Sequence, residues 1–523
     1  MKPITSIAFL AAGLLCPLAG CQQGAAKPSS ALLPTRLEQF PLPPENVVIA
    51  SPIGTARPPF AFNVSDEKLL DEVQRGAWNW LIASSHPVTG MVPDRTSQPE
   101  ISLAGVGFQL ASLPVGVERG WITKADAQAR AMKVLTVLRD KREIKKFGLY
   151  QHFIDPATAG IHSGNQEQLI STIDSALFFS GCIVASSYFG GEVASVADAL
   201  VADADWSKFM LRAPASSKTK PEEIGYLSLG WKPKHPKSDP TGDGEFLPYY
   251  WQDSGCEHRL ITFLAVASPK PEHRIEPEAY YRLRRQLGAY QEIGPIVYFP
   301  WSGCLFVNQF SHVFMNYNAM GPDDPAAFAQ PSRARVDWWE NSRRMSLVHQ
   351  RKCAENPKNS KSFSADSWGL TPSAHPSGYI VTGVFPNLLP MPGARPGYDF
   401  THDYTPADNF GDGTIAPYGA GMSIMFTPEL TLRALRHWRE LSQRESAWRK
   451  LWSDPSNGGF GFVDAFNRDT GWICDEHLAI DQLPMLLSIE NARTGLVWQL
   501  FHAHPMVQAG MARLKLKLGK LEG

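Results

Sequence analysis

Glu257 stands in "DSGCEHRLITFLAVASP", residues 253 to 269, where Leu260, Ile261, Leu264, Ala265 and Ser268 trace an apolar helical stripe. One step back along that stripe is Glu257 itself, so a carboxylate sits on a face that should be buried. Two uses fit. Ser254-x-x-Glu257 is a capping box, with Ser at the N-cap and Glu at N3, and such a cap favours an ionised carboxylate. Burial does the opposite: it penalises the charged form, raises the pKa and leaves Glu257 holding a proton it can donate. The second use is the chemistry of glycoside cleavage, which needs a proton donor and a second carboxylate. The residues alone leave both uses open.

Other carboxylates could complete such a pair. In "GNQEQLISTIDSALFFSG", Glu167, Ser171 and Asp174 fall at i, i+4 and i+7 on one helical face, beside apolar Leu169, Ile173, Ala176 and Leu177. The plain alternative is a solvated face, with Glu167 favoured near a helix N-terminus. "FSADSWGLTPS" sets Asp366 beside Trp368, and "NFGDGTIAPYG" sets Asp412 between two glycines. Both are also ordinary turn chemistry. "FSHVFMNYN" adds His312 as a candidate substrate contact. Trp301, Trp368, Tyr379 and Trp472 are candidate platforms for a pyranose ring, although core burial is the usual fate of a large aromatic. Asp481 and Gln482 in "LAIDQLP" are assigned a structural role, holding neighbouring loops.

Competing chemistries lack their signatures. There is no G-x-S-x-G, H-E-x-x-H or Walker A motif, and Gly105-Val106-Gly107 lacks the third glycine and preceding strand of a dinucleotide site. His152, Asp155 and His162 could form a ligand set, but they lie in a loop without register, so neither metal nor cofactor is expected. Formal net charge is −1, with no basic block, which argues against a nucleic-acid partner. A monomer is expected.

The elements that must position these residues are mostly helical. Apolar residues recur at helical spacing over 65–84, 105–120, 123–140, 167–187, 192–212, 250–267, 276–289, 304–316, 334–354, 428–442, 477–488 and 490–503. Strand signals are few: 148–153, 296–299 and 458–467. Long connections rich in Gly, Pro and aromatics lie between the helices, and such loops are usually functional. A ring of helical hairpins with a loop-lined mouth accounts for both observations.

The N-terminus "MKPITSIAFLAAGLLCPLAGC" has a basic start, a short apolar run and small residues before a Cys, as an export signal does. Leu18-Ala19-Gly20-Cys21 resembles a bacterial lipobox, which implies a signal over 1–20 and lipidation of Cys21. A Pro/Ser/Ala-rich tether is expected over 21–64, then one domain over 65–515. Gln22 after the lipidated Cys points to an outer-membrane lipoprotein. Cys182, Cys256, Cys304, Cys353 and Cys474 remain, an odd number with no C-x-x-C, so neither a disulfide framework nor a zinc site is expected.

Nine stretches, in order over residues 65 to 510, resemble the glycoamylase-like family of bacterial glycoside hydrolases, relatives of endo-β-1,2-glucanases. They are "GVGFQLASLPVGVERGWIT", "STIDSALFFSGCIVASSYF", "CEHRLITFLAVASP", "LFVNQFSHVFMNY", "WWENSRRMSL", "DSWGLTPS", "GDGTIAPYGA", "TPELTLRALRHW" and "LAIDQLPMLLSIENARTGLVWQLFHAHP". The resemblance implies an all-α fold, an (α/α) barrel of six helical hairpins. It implies hydrolysis of a β-glucan, β-1,2-linked, with inversion, and Glu257 as general acid. The opposing carboxylate would come from Asp174, Asp366 or Asp412. The chain departs from the family pattern at Cys256 (usually Asn), Ser171 (usually acidic), and Asn316 and Asn318 (usually Asp and Arg). Asp366 keeps an acid where the family has Glu. These departures motivate two alternatives: a transglycosylase on the same scaffold, or a surface glycan-binding lipoprotein without catalysis.

Overall fold

Fourteen α-helices order the described part of the chain. The computed structural model describes residues 47–162, 168–214, 220–234, 242–255, 257–300, 302–388 and 408–519. The helices are α1 (Val64–Ser84), α2 (Leu103–Glu118), α3 (Lys124–Asp140), α4 (Thr172–Phe189), α5 (Gly191–Asp203), α6 (His258–Ala267), α7 (Glu278–Arg282), α8 (Leu305–Phe314), α9 (Trp338–Glu355), α10 (Pro417–Met422), α11 (Pro428–Arg444), α12 (Ala479–Arg493), α13 (Leu496–Ala503) and α14 (Pro505–Arg513). The fold is all-α in its body, with short two- and three-stranded ladders at its edges.

Burial divides the helices into two kinds. Every residue of α6, α8 and α10 is buried, as are the first fourteen of α2 and of α12 and the first fifteen of α4. Helices without a polar face must lie inside. By contrast α1, α3, α5, α9 and α11 each keep a solvent face. The inner helices pack α6 on α4, α4 on α2, α2 on α12, α12 on α10 and α10 on α8.

Glycine sets the spacing in this row. A Cβ on Gly107 of α2 would lie 2.3 Å from the carbonyl oxygen of Leu177 in α4, and one on Gly181 would lie 2.0 Å from that of Gly107. On the other flank, a Cβ on Gly105 would meet Ala479 of α12 at 2.8 Å. The Gly-Val-Gly of α2 therefore admits a neighbour on each side.

Short ladders precede several of the inner helices. Short strands lead into three of them: Ile101–Ser102, paired with Phe153–Ile154, into α2; Ile170–Ser171, paired with Gly230–Pro233, into α4; and Thr414–Ile415, paired with Phe466–Asn467, into α10. Tyr250–Trp251, paired with Leu227–Ser228, precedes α6. An isolated bridge between Arg95 and Leu478 precedes α12. These ladders fix where each helix starts.

Several expectations are corrected. The helix expected over 250–267 begins only at His258, because Tyr250 and Trp251 are drawn into a strand. That expected over 276–289 is one short helix followed by strand Leu287–Tyr290, and α10 and α14 were not foreseen. The tether expected over 21–64 ends sooner: Val47 and Ile49 are buried, and Val48–Ile49 pairs with Arg335–Val336. Residues 1–46, with Cys21, lie outside the described residues, as do Glu167, Cys256 and Trp301. Cys182, Cys304, Cys353 and Cys474 are buried free thiols.

Candidate active site

Glu257 occupies the N-cap position of α6, but its side chain does not cap. Ser254, the expected capping partner, donates its hydroxyl to the carbonyl oxygen of Arg284 at 2.7 Å. The turn before α6 is braced from elsewhere. Arg284 Nη2 donates to Asp253 Oδ2 at 3.0 Å, the Asp253 N–H donates to His258 Nδ1 at 3.2 Å, and Arg259 reaches back to the Ser254 carbonyl. The Arg259 guanidinium lies 4.0 Å from the centre of the Trp338 ring. Glu257 is left free of backbone duty. It is 3% exposed, and its Oε2 takes no hydrogen bond among the described residues.

A buried carboxylate without donors holds its proton tightly. Burial first, and the negative charge of Asp174 second, raise the Glu257 carboxyl to about 8. Glu257 is thus a proton donor at neutral pH.

Asp174 sits at N3 of α4. Its Oδ2 accepts the hydroxyl of the N-cap residue Ser171, whose Oγ accepts the Asp174 N–H at 3.3 Å. His152 Nε2 lies 3.5 Å from its Oδ1. Ser171 and Asp174 do not share the expected helical face, because the helix starts only at Thr172 and Ser171 is its cap; Glu167 lies outside the described residues. Trp251 couples the two acid-bearing helix starts: its Nε1 donates to Thr172 Oγ1 at 2.7 Å, and its ring centre lies 4.3 Å from that of His258.

A second acidic group lies around the start of α12, and the carboxylate search above did not find it. Asp464 and Asp481 are both buried and hydrogen-bonded to each other. Burial, then the neighbouring Asp464 charge, hold Asp481 protonated, well above the carboxylate range. Asp464 Oδ2 accepts the Ala374 N–H at 2.7 Å, while its Oδ1 takes no hydrogen bond among the described residues. Asp94 joins the two groups. Burial raises it, Arg95 Nε at 3.3 Å and His152 oppose that rise, and it interacts with both Asp174 and Asp481. The signal for the missed pair was an Asp flanked by buried apolar residues, Val463-Asp464-Ala465 and Ile480-Asp481.

The other candidates are distributed unevenly. Tyr379 belongs to the second group: its ring lies 5.6 Å from the Arg95 guanidinium, and burial followed by the charges of Asp481 and Asp464 keeps its hydroxyl neutral. Asp412 is at the rim, 42% exposed, with Oδ2 3.0 Å from His375 Nε2 and Oδ1 accepting from Thr414 Oγ1 at 2.6 Å. Burial pushes its pKa up, but the Thr414 and His375 hydrogen bonds outweigh that and leave it low. Trp472, half-buried, lies 6.3 Å ring to ring from the same His375.

Two placements are corrections. Asp366 forms an exposed ion pair with Arg433 of α11, 3.1 Å apart, on the outer layer rather than beside Glu257. His312 lies near the C-terminal end of α8, roughly 10 Å along the axis from the helix start at 1.5 Å per residue. Its Nε2 pairs with Ser342 Oγ at 2.9 Å, and burial, with the nearby Arg259 charge, keeps it neutral. It is a packing residue. Trp368 is likewise core, 0% exposed.

A buried, protonated Glu that interacts with Asp174, together with the buried carboxyls of Asp94, Asp464 and Asp481, fits the equipment of acid–base glycoside cleavage. The Glycoamylase family model matches residues 248–505, the segment that carries Glu257, Asp464 and Asp481. That segment is similar to this family. A curated relative is the exo-β-1,2-glucooligosaccharide sophorohydrolase (non-reducing end) of Parabacteroides distasonis, 26% identical over 489 residues. The match covers 87% of this chain and 58% of that protein, so the chain spans less than two thirds of the relative's length. Among solved structures, an endo-β-1,2-glucanase from Chitinophaga pinensis, complexed with sophorotriose and glucose, superposes with a TM-score of 0.67 at 23% identity, covering 87% of this chain and 99% of that one. A β-1,2-glucanase from Parabacteroides distasonis gives 0.68 at 23% identity, over 87% and 60%. An endo-β-1,2-glucanase from Talaromyces funiculosus, complexed with sophorose, gives 0.56 at 12% identity, over 88% and 91%. The chain shares its fold with these proteins.

Proposed function

We propose that this chain hydrolyses a β-1,2-linked glucan with inversion, and that Glu257 protonates the departing glycosidic oxygen. One observation carries the reading: a buried, uncapped, protonated Glu at the start of an inner helix, facing Asp174, in a chain whose relatives act on β-1,2-glucans. Water activation falls to a carboxylate across the helix ends. Asp464 is suited to it, since Asp481 holds the shared proton and Asp464 Oδ1 has no partner among the described residues. Tyr379 and Trp472 flank this side and offer contacts to the sugar.

The fold belongs to the same proposal. The inner helices α2, α4, α6, α8, α10 and α12 form the inside of an (α/α) barrel of six hairpins, with the active site at their N-terminal ends. The lipobox around Cys21 supports anchoring of this enzyme in the outer membrane. Metabolic labelling with a radioactive fatty acid, lost on Cys21→Ala, tests the anchor.

The function is tested by product analysis on a panel of β-glucans with wild type and Glu257→Gln. Release of sophoro-oligosaccharides or sophorose from the β-1,2-glucan alone, abolished in the variant, is the expected result. Unchanged hydrolysis by the variant overturns the assignment of Glu257.

A further inference from the structure

We propose that Trp251 is a positioning residue for proton donation. Its indole is a strut between the first residue of α4 and the first residue of α6, and it fixes where Glu257 stands. The proposal rests on the reading of Glu257 as proton donor given above.

Trp251 is buried and ends the short strand Tyr250–Trp251. An indole N–H can only donate. It donates to Thr172 Oγ1, 2.7 Å away on the first residue of α4. The Thr172 hydroxyl has one hydrogen, which goes to the Leu229 carbonyl at 2.8 Å, with that of Ser228 at 3.2 Å. The order of the relay is therefore fixed, from Trp251 through Thr172 to Leu229. Leu229 lies between two strand segments: Leu227–Ser228 pairs with Tyr250–Trp251, and Gly230–Pro233 pairs with Ile170–Ser171. The backbone joins the leads into α4 and α6 along one edge, and the indole bond closes the other. Triangulated in this way, the two leads resist sliding past each other.

The same ring reaches α6. Its centre lies 4.3 Å from that of His258, with 55° between the planes, and His258 follows Glu257 directly. The imidazole is held on two further sides, by the Asp253 N–H on Nδ1 at 3.2 Å and by the Phe299 ring, edge-on at 5.5 Å. Glu257 has no such bracing of its own: its side chain makes no capping bond, and its Oε2 has no hydrogen-bond partner among the described residues. Its placement therefore depends on the residue beside it, and Trp251 ties that residue to α4. A misplacement of about 1 Å can cost a reaction about a hundredfold.

The test is a set of variants read by kinetics on β-1,2-glucan and by NMR of the His258 ring. Trp251→Phe keeps a ring against His258 and loses the N–H. It should lower kcat about tenfold to a hundredfold and leave KM within about twofold, the split expected when only the transition state is affected. Thr172→Val removes the acceptor from the other end, while the Leu229 carbonyl keeps the Thr172 N–H at 3.2 Å. It should cost a similar factor, and it covers the case in which Trp251→Phe does not fold. The double variant should be no worse than the larger single loss, because both remove one bond. Placed on Glu257→Gln, Trp251→Phe should cost less than about twofold, since the proton it positions is already gone. The same factor lost with and without Glu257→Gln is general damage and overturns the proposal, as does unchanged kcat in both folded single variants. The strut is also read without substrate: Thr172→Val, on another helix, should shift the His258 ring resonances, and unmoved resonances overturn it. Wild type that cleaves no glucan while those resonances shift overturns the hydrolase reading and leaves the strut standing.

Discussion

Ser254 turns its hydroxyl away from Glu257 and onto the carbonyl of Arg284, 2.7 Å away. The same Ser-x-x-acid spacing does form a cap at Ser171 and Asp174. Two identical local patterns thus have opposite outcomes. At Ser171 the hydroxyl meets Asp174, and at Ser254 the contact with Arg284 takes the hydroxyl first. One acid is tied into a cap, and the other is left out of it and protonated.

Glu257→Gln should lower kcat about a hundredfold to ten-thousandfold on β-1,2-glucan while KM changes little, because the amide keeps the shape and loses the proton. Steady-state kinetics on purified protein check this.

Activity should fall as pH rises through about 8, where Glu257 gives up its proton. Stability should follow the same group. The folded value of about 8 stands above the ordinary 4.5, so the folded state binds the proton more tightly and is favoured at low pH. That advantage fades between the two values, by about 1.4 kcal/mol per pH unit, and is gone above about 8. Thermal melts from pH 5 to 9 should show this slope in wild type, and Glu257→Gln should flatten it.

Asp464 and Asp481 should respond unequally. Asp481 already carries a proton, so Asp481→Asn keeps its charge state and should cost less than about 1 kcal/mol. Asp464→Asn weakens the acceptor for the Ala374 N–H and removes the proposed base. It should cost about 1–3 kcal/mol and most of the activity. Equal losses in both variants would contradict the division of roles.

His312→Phe should leave KM unchanged, since the imidazole meets Ser342 inside the helix layer and not the cleft. Ser342 Oγ keeps its bond to the Asn308 carbonyl at 2.8 Å, so losing the imidazole contact should lower stability by only about 0.5–1.5 kcal/mol. Denaturant melts and KM measured together separate this from a substrate contact.

Gly107→Ala should destabilise by about 1–3 kcal/mol or more, because the added methyl group meets the Leu177 backbone at 2.3 Å and neither helix can step aside. A urea midpoint reports it.

Much of this was legible in the chain. The largely apolar stretches at 103–118 and 172–186 announce buried helices, and the stripe through Leu260 and Leu264 puts Glu257 on a buried face, where it lies. Helix starts were harder to place. Tyr250 and Trp251 fit a helical pattern, yet a partner strand at Leu227–Ser228 claims them, and nothing nearby in sequence encodes that partner. Asp464 and Asp481 were missed as a site for the same reason: their chemistry exists only once two segments meet. His312 was misplaced because residue type marks a candidate but not the end of the helix it falls on.

The short ladders that lead into the inner helices separate two jobs that many enzymes entangle. Strand pairings at Ile101–Ser102, Ile170–Ser171 and Thr414–Ile415 hold the helix ends, and a fourth at Tyr250–Trp251 stands just before Glu257. Glu257 and Asp174 ride on those ends, not on the long connections between the helices. Loop walls can then lengthen, shorten or be exchanged between relatives while the floor beneath them stays put. Preference for one glucan length over another can diverge in such a lineage without the proton donor being rebuilt.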